Sequence, residues 1–346
     1  MDVKPPQKRV KQQQQCEQHD DDEQQKRLGD ALDADLLGVC ISFLDYMSLV
    51  TCQSVSKEWH RILQYPLVWE QFYATMWRPK CSAPLPPGYR RALLPHFKDV
   101  CAARMASQCA LSTRARSWVR DNGNVFVYND AMYLRTFCMG GIESIHTESI
   151  RTESIRTEST LRPLASARAL GVNVCYFEAS ILGCGSVGIA SISTTAERVA
   201  YGFGSQSHLG WFPVSYGYHG DDGLLYWNDC KMRIVGGAQR AYGPSWGDAT
   251  SLRRRQAAAS VTIGCGFCLD TRQLFYTLDG RFLGLAPVTI KPSCAFAAAV
   301  SLHQIGDSVE INFGCSAFKF DIDAYIWESA RADSGARAFG HSVRAA

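Results

Sequence analysis

The stretch 264-GCGFCLDTRQLFYTLDGRFLG-284 carries short apolar runs separated by turn signals. The runs and turns of this region are, in order, 261-VTIGCGFCL-269, 270-DTR-272, 273-QLFYTL-278, 279-DG-280 and 281-RFLGLA-286. Apolar runs of this length, bounded by Asp- and Gly-containing turns, are typical of antiparallel strands that follow one another closely. The stretch therefore predicts β-structure with tight turns.

Runs of the same kind continue on both sides of this stretch, and no helical pattern is recognised between them. They are 124-NVFVYND-130, 174-VCYFEASIL-182, 187-VGIASIS-193, 295-AFAAAVSL-302 and 308-SVEINF-313. Many short strands with tight turns favour an antiparallel β-sandwich. We place this domain at 118–320. A five-residue repeat close to SIRTE interrupts it, and because five matches neither the helical nor the strand period, we predict a surface loop insertion over 142–161.

The chain before the sandwich has a helical pattern. Leu36, Leu37, Ile41 and Leu44 recur at helical spacing, and Asp45 is positioned to begin a second helix. Three short helices over 28–74 make a bundle that is small for an independent core, so a partner is expected to complete it. Helical segments over 75–117 link this bundle to the sandwich. The fold class is thus multidomain, α then β.

The two ends of the chain carry little apolar patterning. Residues 1–27 are rich in Gln, Lys and Asp, which predicts a disordered polar tail. Residues 321–346 are interpreted as a C-terminal tail. The N-terminus lacks the apolar core of a signal peptide, so the chain is expected in the reducing cytosol or the nucleus.

The overall composition is that of an ordinary globular protein. Apolar residues make up 46%, charged residues 20%, and the formal net charge is +3. This balance gives no reason to expect a nucleic acid partner, and no apolar run is long enough for a membrane span. In a reducing compartment the 14 cysteines are expected to be mostly buried and reduced.

Two glycine- and cysteine-based motifs have structural explanations. The run 183-GCGSVG-188 has dinucleotide-binding spacing, but a strand-like sequence follows it where that fingerprint needs a helix, so a tight turn between strands is predicted. The pair Cys265 and Cys268 lies in a strand-like run, and no second CxxC or CxH pair accompanies it. We therefore predict no zinc site at this pair.

The segment 215-SYGYHGDDG-223 concentrates one histidine and two aspartates. His219, Asp221 and Asp222 would need further ligands from elsewhere to hold a metal, and the other histidines are scattered along the sequence. Its glycines and aspartates favour a hydrogen-bonded turn. Nothing in the chain matches a nucleophile with its base. We therefore expect no enzyme activity, no metal and no cofactor.

Residues 28–73 resemble an F-box. The matching features are the paired leucines Leu36-Leu37, FLD at 43–45, VSKEW at 55–59 and LVW at 67–69. The chain departs from that pattern at Asp33, where most F-boxes carry proline. The resemblance implies docking onto the Skp-type linker of a cullin-RING (SCF) ubiquitin ligase. Seven apolar residues are expected at this interface: Leu32, Leu36, Leu37, Ile41, Leu44, Val55 and Trp59.

The sandwich region looks like a SPRY domain of the Ran-binding-protein-M-like type, with a concanavalin-like fold. The motifs that carry this resemblance are YFEASIL (176–182), SYGYHGDDG (215–223), YGP (242–244), the stretch 264–284 and VEINFG (309–314). The resemblance implies that its loops bind a peptide or protein. Candidates for that surface are Trp211, Phe212, Tyr218, Trp227, Trp246, Arg253, Arg254 and Arg255.

The combined resemblance implies a substrate-recognition adaptor whose partners are the Skp-type linker, the cullin and an unidentified substrate protein. Two alternatives stay open. In one, the chain is a SPRY-based binding scaffold outside ubiquitin transfer. In the other, the sandwich binds carbohydrate as a lectin does, since this architecture serves unrelated functions.

Overall fold

The computed structural model describes residues 44–55, 57–78, 85–113, 118–119, 125–129, 134–138, 153–157, 160–192, 208–211, 213–229, 238–247, 260–290, 295–303, 307–314 and 316–342. The predicted tail at 1–27 lies outside these residues. The chain divides into two compact units, 1–75 and 76–346, which are described separately below.

Three helices occupy the described part of the first unit: α1 (Tyr46–Val55), α2 (Lys57–Ile62) and α3 (Pro66–Trp77). The predicted helix start at Asp45 is confirmed, because its carboxylate accepts the Ser48 N–H at 2.7 Å and its carbonyl accepts the Leu49 N–H. This hydrogen bond from Ser48 also lowers the pKa of the Asp45 carboxyl. Helix α3 runs through the boundary predicted at 74/75.

Aromatic side chains form the core of the first unit. Trp69 and Phe72 of α3 are each 1% exposed, and Tyr46 of α1 packs against both, with ring centroids 6.1 and 6.3 Å away. The indole N–H of Trp69 donates to the Leu63 carbonyl at 2.8 Å, so the one polar atom of this side chain is satisfied. Leu49 on α1 is also fully buried.

The described helices of the second unit lie before, within and after the sandwich sequence. They are α4 (Pro87–Leu93), a 3₁₀ turn (Leu94–His96), α5 (Phe97–Thr113), α6 (Ala165–Ala169) and α7 (Ile322–Ser342).

Helix α7 shows that the interpretation of 321–346 as a tail is wrong. Ile322 and Ile326 are buried, the Tyr89 hydroxyl donates to Asp323 at 2.7 Å, and Trp327 packs edge-on against Tyr89. The apolar positions Ile322, Tyr325 and Ile326 lie on one face of the first turns. That stripe is short, and the more polar sequence after it obscured the helical pattern.

Within the described residues, fourteen strands make two antiparallel sheets. They are β1 (Trp118–Val119), β2 (Val125–Asn129), β3 (Leu134–Cys138), β4 (Glu153–Thr157), β5 (Val174–Leu182), β6 (Gly185–Ser191), β7 (Ser215–His219), β8 (Leu224–Asn228), β9 (Ala238–Ala241), β10 (Val261–Cys268), β11 (Gln273–Leu278), β12 (Arg281–Thr289), β13 (Phe296–Leu302) and β14 (Ser308–Asn312).

The strand order within each sheet gives the two-layer architecture. Sheet I has the order β1-β4-β13-β6-β7-β8-β9, and sheet II has the order β12-β11-β10-β5-β14-β3-β2. Every described pairing is antiparallel. The predicted antiparallel β-sandwich following a helical region is confirmed.

The core lies between the sheets and is built by alternation along each strand. Phe177 of β5, Ile189 of β6, Tyr218 of β7 and Tyr276 of β11 are each 0% exposed and belong to one apolar cluster. Cys265 belongs to the same cluster, so its role as a small buried residue is confirmed. Cys265 and Cys268 are three apart along a strand and therefore point to opposite faces.

Two predicted turns are confirmed by the backbone. Gly183 lies between β5 and β6 with φ of +105°, a left-handed conformation that disfavours other residues, so 183-GCGSVG-188 begins with a tight turn as predicted. Asp279 and Gly280 connect β11 to β12 with φ of +46° and +82°. Two successive positive φ values are characteristic of type I′ hairpin turns.

The SIRTE repeat does not form only a loop, so that prediction is wrong for its second half. Residues 153–157 make β4, which pairs with β13 on one side and with β1 on the other. Strand pairing uses backbone N–H and C=O groups, which every non-proline residue supplies. A five-residue period hides the side-chain alternation from sequence inspection, but it does not prevent backbone pairing.

Candidate functional site

Helix α1 presents an apolar stripe to solvent. Met47 and Val55 are 62% and 67% exposed, and Val50 between them is also exposed. These positions are spaced i, i+3 and i+8 and span an arc of about 140° on the exposed side of the helix, while Leu49 on the opposite side is fully buried. An exposed row of large apolar side chains indicates a protein-binding surface.

The residues predicted at the linker interface have different environments. Val55 lies on the exposed stripe of α1, whereas Leu44 and Trp59 are half-buried. Sequence reasoning missed Met47 and Val50. The signal available for them was their helical spacing from Val55. The remaining predicted residues, Leu32, Leu36, Leu37 and Ile41, lie outside the described residues.

The aromatic residues predicted for the substrate surface of the sandwich also separate into groups. Tyr218 is wrong as a surface residue, because it lies in β7, is 0% exposed and packs in the core between the sheets. Trp227 is half-buried in β8 and packs against the same core. The prediction failed because SYGYH was interpreted as part of a turn when it is a strand. Phe212, Arg253, Arg254 and Arg255 lie outside the described residues.

Trp211 and Trp246 each pack beside the turn between β7 and β8, Trp211 against His219 and Trp246 against Gly220. Trp211 packs against His219, with ring centroids 6.4 Å apart. Trp211 is half-buried and His219 is buried. The backbone N–H of Trp246 donates to the Gly220 carbonyl at 2.8 Å. A Cβ on Gly220 would lie 2.9 Å from the Trp246 ring, so only glycine fits there without a shift.

The turn itself is hydrogen-bonded as predicted. The Asp222 carboxylate accepts the Leu224 N–H at 2.8 Å and the Tyr226 hydroxyl at 2.6 Å, which is an Asx-type turn supported by a side chain. Burial and the Asp222 carboxylate raise the pKa of the Tyr226 hydroxyl. Asp221, by contrast, has 42% of its side chain exposed, with one carboxylate oxygen 4.0 Å from His219 Nδ1.

The outer face of sheet I buries several polar side chains. Ser215 and His219 of β7 alternate with the core residues Tyr216 and Tyr218, and Ser301 of β13 alternates with Val300 and Leu302. The segment 208–211 covers this face: the Leu209 N–H donates to Ser301 Oγ and the Gly210 N–H to Ser215 Oγ, both at 2.9 Å. The covering segment and the face it hides are thus joined by hydrogen bonds.

Three histidines meet where this segment covers the sheet: His208 of the segment itself, His219 and His303. His208 Nδ1 lies 3.0 Å from His303 Nε2, and the His219 Nε2–H donates to the Leu209 carbonyl at 2.6 Å. Burial lowers the pKa of all three imidazoles, that of His208 to about 4 and that of His303 well below its usual range. Sequence reasoning missed this grouping because the three lie far apart along the chain.

Among the helices of the described residues, none combines the length and the apolar character needed to cross a membrane.

Comparison with known proteins finds similarity to an F-box domain and to Ran-binding proteins. A family model described as F-box domain matches residues 30–71. Ran-binding protein 9 of Xenopus tropicalis is 34% identical over 154 residues, which cover 44% of this chain and 24% of that protein. Ran-binding protein 9 of Homo sapiens is 32% identical over 175 residues, covering 49% and 21%. The chain thus spans about a quarter or less of these relatives.

A crystal structure of a human SPRY domain is also similar, at 22% sequence identity and a TM-score of 0.35, covering 55% of this chain and 96% of that domain. The resemblances to the F-box and to the Ran-binding type of SPRY region, drawn from sequence motifs above, are confirmed by the family model and the Ran-binding relatives.

Proposed function

We propose that this protein is a substrate-recognition adaptor of an SCF-type ubiquitin ligase. The helical unit binds a Skp-type linker, and the sandwich binds a protein or peptide that is to be ubiquitinated. The observation that carries the proposal is the exposed apolar stripe of α1, which lies inside the segment that matches the F-box.

The stripe supports docking because it removes apolar area from water only when a partner covers it. Met47, Val50 and Val55 would each lose most of their remaining solvent contact at such an interface. Apolar burial contributes roughly 25 cal/mol per Å², so a few side chains of this size make a useful anchor. The same side chains contribute little to the folded unit alone.

The end of the sandwich around the β7–β8 turn is the surface that we assign to the substrate. Half-buried Trp211 and Trp246 lie beside this turn, and Asp221 within the turn adds an exposed carboxylate. Rigid aromatic side chains beside polar groups are typical of binding hot spots. Phe212 and the arginines at 253–255 stay predictions for the same surface.

The proposed mechanism is proximity and involves no chemistry by this chain. A substrate held by the sandwich is at high effective concentration near the conjugating enzyme that the ligase recruits. Bond formation to ubiquitin belongs to the partner proteins. We accordingly propose that the chain is not itself an enzyme.

The test is co-purification of the full chain with a Skp-type linker–cullin complex. We expect Met47→Asp with Val55→Asp to weaken binding by roughly 30-fold or more, as charges in an apolar interface do. Leu285→Asp is the matched control, because Leu285 is 46% exposed but lies on β12. This control is expected to bind as the wild type does.

Two results would contradict the proposal. One is a folded wild-type chain that does not bind the complex, which would favour a SPRY-based scaffold outside ubiquitin transfer. The other is equal binding by the stripe variant and the control, which would show that docking does not use α1.

A further inference from the structure

Four potential metal ligands lie near one another at the same end of neighbouring strands of sheet I. Cys184 immediately precedes β6, His219 ends β7, Asp221 lies in the β7–β8 turn and His303 follows β13. Strands β13, β6, β7 and β8 are neighbours and antiparallel, so these four positions lie at the same end of the strands. No spacing rule in the sequence would reveal the grouping.

The ligand atoms are close together. His303 Nδ1 lies 3.5 Å from Cys184 Sγ and 3.9 Å from Asp221 Oδ1. Asp221 Oδ1 in turn lies 4.0 Å from His219 Nδ1. Cys184, His219 and His303 are buried, whereas the Asp221 side chain is 42% exposed and has freedom to adjust.

The other nitrogens of the two rings are held by hydrogen bonds, which orients the rings. His219 Nε2 must carry a proton, since it donates to the Leu209 carbonyl at 2.6 Å, and the neutral ring therefore presents a lone pair at Nδ1. That lone pair faces a carboxylate oxygen. Two acceptors that face each other repel, and a cation bound nearby would offset this repulsion.

His303 is arranged in the same way. Its Nε2 is hydrogen-bonded to His208 Nδ1 at 3.0 Å, and Trp211 packs against the His208 ring with centroids 4.4 Å apart. Outer hydrogen bonds of this kind fix the orientation of metal-binding imidazoles and are a regular feature of such sites. The His303 Nδ1 that remains faces the thiol and the Asp221 carboxylate.

We propose that this end of the sandwich is a Zn²⁺ site with Cys184, Asp221 and His303 as ligands, because the donor atoms of these three residues all lie within 4.8 Å of one another. His219 lies beside the set, with its Nδ1 4.0 Å from the Asp221 carboxylate. Nitrogen, oxygen and sulfur together are a ligand set that zinc prefers. Zinc–ligand bonds of roughly 2.0–2.3 Å in a tetrahedron place ligand atoms about 3.3–3.6 Å apart. The observed separations of 3.5 Å (Cys184 to His303) and 3.9 Å (His303 to Asp221) approach this geometry, and movement of the exposed Asp221 would close the remainder.

A bound ion would stabilise the end of the sandwich proposed for substrate binding. It would join the β5–β6 turn, the β7–β8 turn and the end of β13 into one unit. His208 would tie the covering segment 208–211 to the same unit through His303. The proposal concerns metal binding only and does not depend on ligase activity.

The test uses the full chain, reduced, stripped of metal by a chelator and then titrated with Zn²⁺ in competition with a chromogenic chelator. We expect Asp221→Asn and His303→Ala each to weaken the tightest binding event by roughly tenfold or more. Asp99→Asn and His96→Ala are matched controls at exposed helical positions and are expected to bind as the wild type does. Zn²⁺ is also expected to raise the unfolding temperature of the wild type and the controls.

Substitution of Co²⁺ for Zn²⁺ tests the ligand set directly. We expect an intense thiolate-to-cobalt absorption band in the wild type and its loss in Cys184→Ser. Equal Zn²⁺ affinity of the wild type, Asp221→Asn and His303→Ala would overturn the proposal. Should His303→Ala fail to fold, Asp221→Asn decides the matter alone, because its side chain lies at the surface and contributes little to the core.

Discussion

The helical unit and the outer face of sheet I depart from the usual distribution of residues in opposite directions. Helix α1 exposes Met47 and Val55, whereas sheet I buries Ser301, His219 and His303 on the face turned away from the core. Exposed apolar groups are stabilised by a partner, and buried polar groups by their hydrogen bonds or by an ion. The direction of the departure therefore indicates what each region is expected to bind.

Both departures can be compared with the ordinary core between the sheets. Phe177 of β5 is 0% exposed and packs against Phe313, with ring centroids 5.6 Å apart. We expect Phe177→Ala to lower the free energy of unfolding by about 3–5 kcal/mol, because it removes a large buried ring and leaves a cavity. Urea unfolding of the full chain measures the loss. A change below about 1 kcal/mol would mean that the two sheets do not share this core.

A substitution on the buried polar face of sheet I is expected to lower the free energy of unfolding less than Phe177→Ala does. Ser301→Ala removes the hydroxyl that accepts the Leu209 N–H and leaves that amide buried. We expect a loss of about 1–3 kcal/mol, together with faster hydrogen exchange at Leu209. Ser260→Ala is the control at an exposed position just before β10. Unchanged exchange at Leu209 would show that 208–211 is held on the sheet by other contacts.

That polar face also marks the limit of what the sequence could predict. Alternation predicted the strand 295–302, and an outward-facing Ser301 or His303 would be expected to meet water. The cover over them depends on the packing of residues 208–211, which have no periodic pattern. The meeting of His219 with His303 depends on strand order, which local signals do not encode. Local turns and single strands, such as 279–280 and 273–278, were predictable because their determinants lie within a few residues.

Sheet II carries a buried polar group of a different kind. Glu178 of β5 accepts the Lys319 and Phe320 N–H groups at 2.9 and 3.0 Å and the Tyr176 hydroxyl at 3.0 Å. Burial raises the pKa of this carboxyl above its ordinary value, although these hydrogen bonds oppose the shift. The group connects β5 to the segment that leads into α7, and no ion is needed to satisfy it.

We expect Glu178→Gln to lower the free energy of unfolding by about 1–3 kcal/mol, because an amide N–H would oppose one of these donors. A raised carboxyl pKa means that the native state keeps its proton where the unfolded chain has lost it. This stabilisation is fully present below the ordinary value of 4.5 and is lost as the pH rises through the folded-state pKa. The deficit of the variant should therefore shrink between pH 4.5 and pH 7. An increasing deficit would contradict this sign. Glu328→Gln, at an exposed position on α7, is the control.

The smallest effect is expected at the exposed stripe of α1. Met47→Ser with Val55→Ser should change the free energy of unfolding by no more than about 0.5 kcal/mol, because both side chains already lie mostly in water. Leu49→Ala in the same helix should cost about 2–5 kcal/mol, since Leu49 is fully buried. Thermal unfolding of the two variants measures the contrast within one helix. Equal losses would mean that the stripe packs within the chain, and it would then be unavailable to a partner.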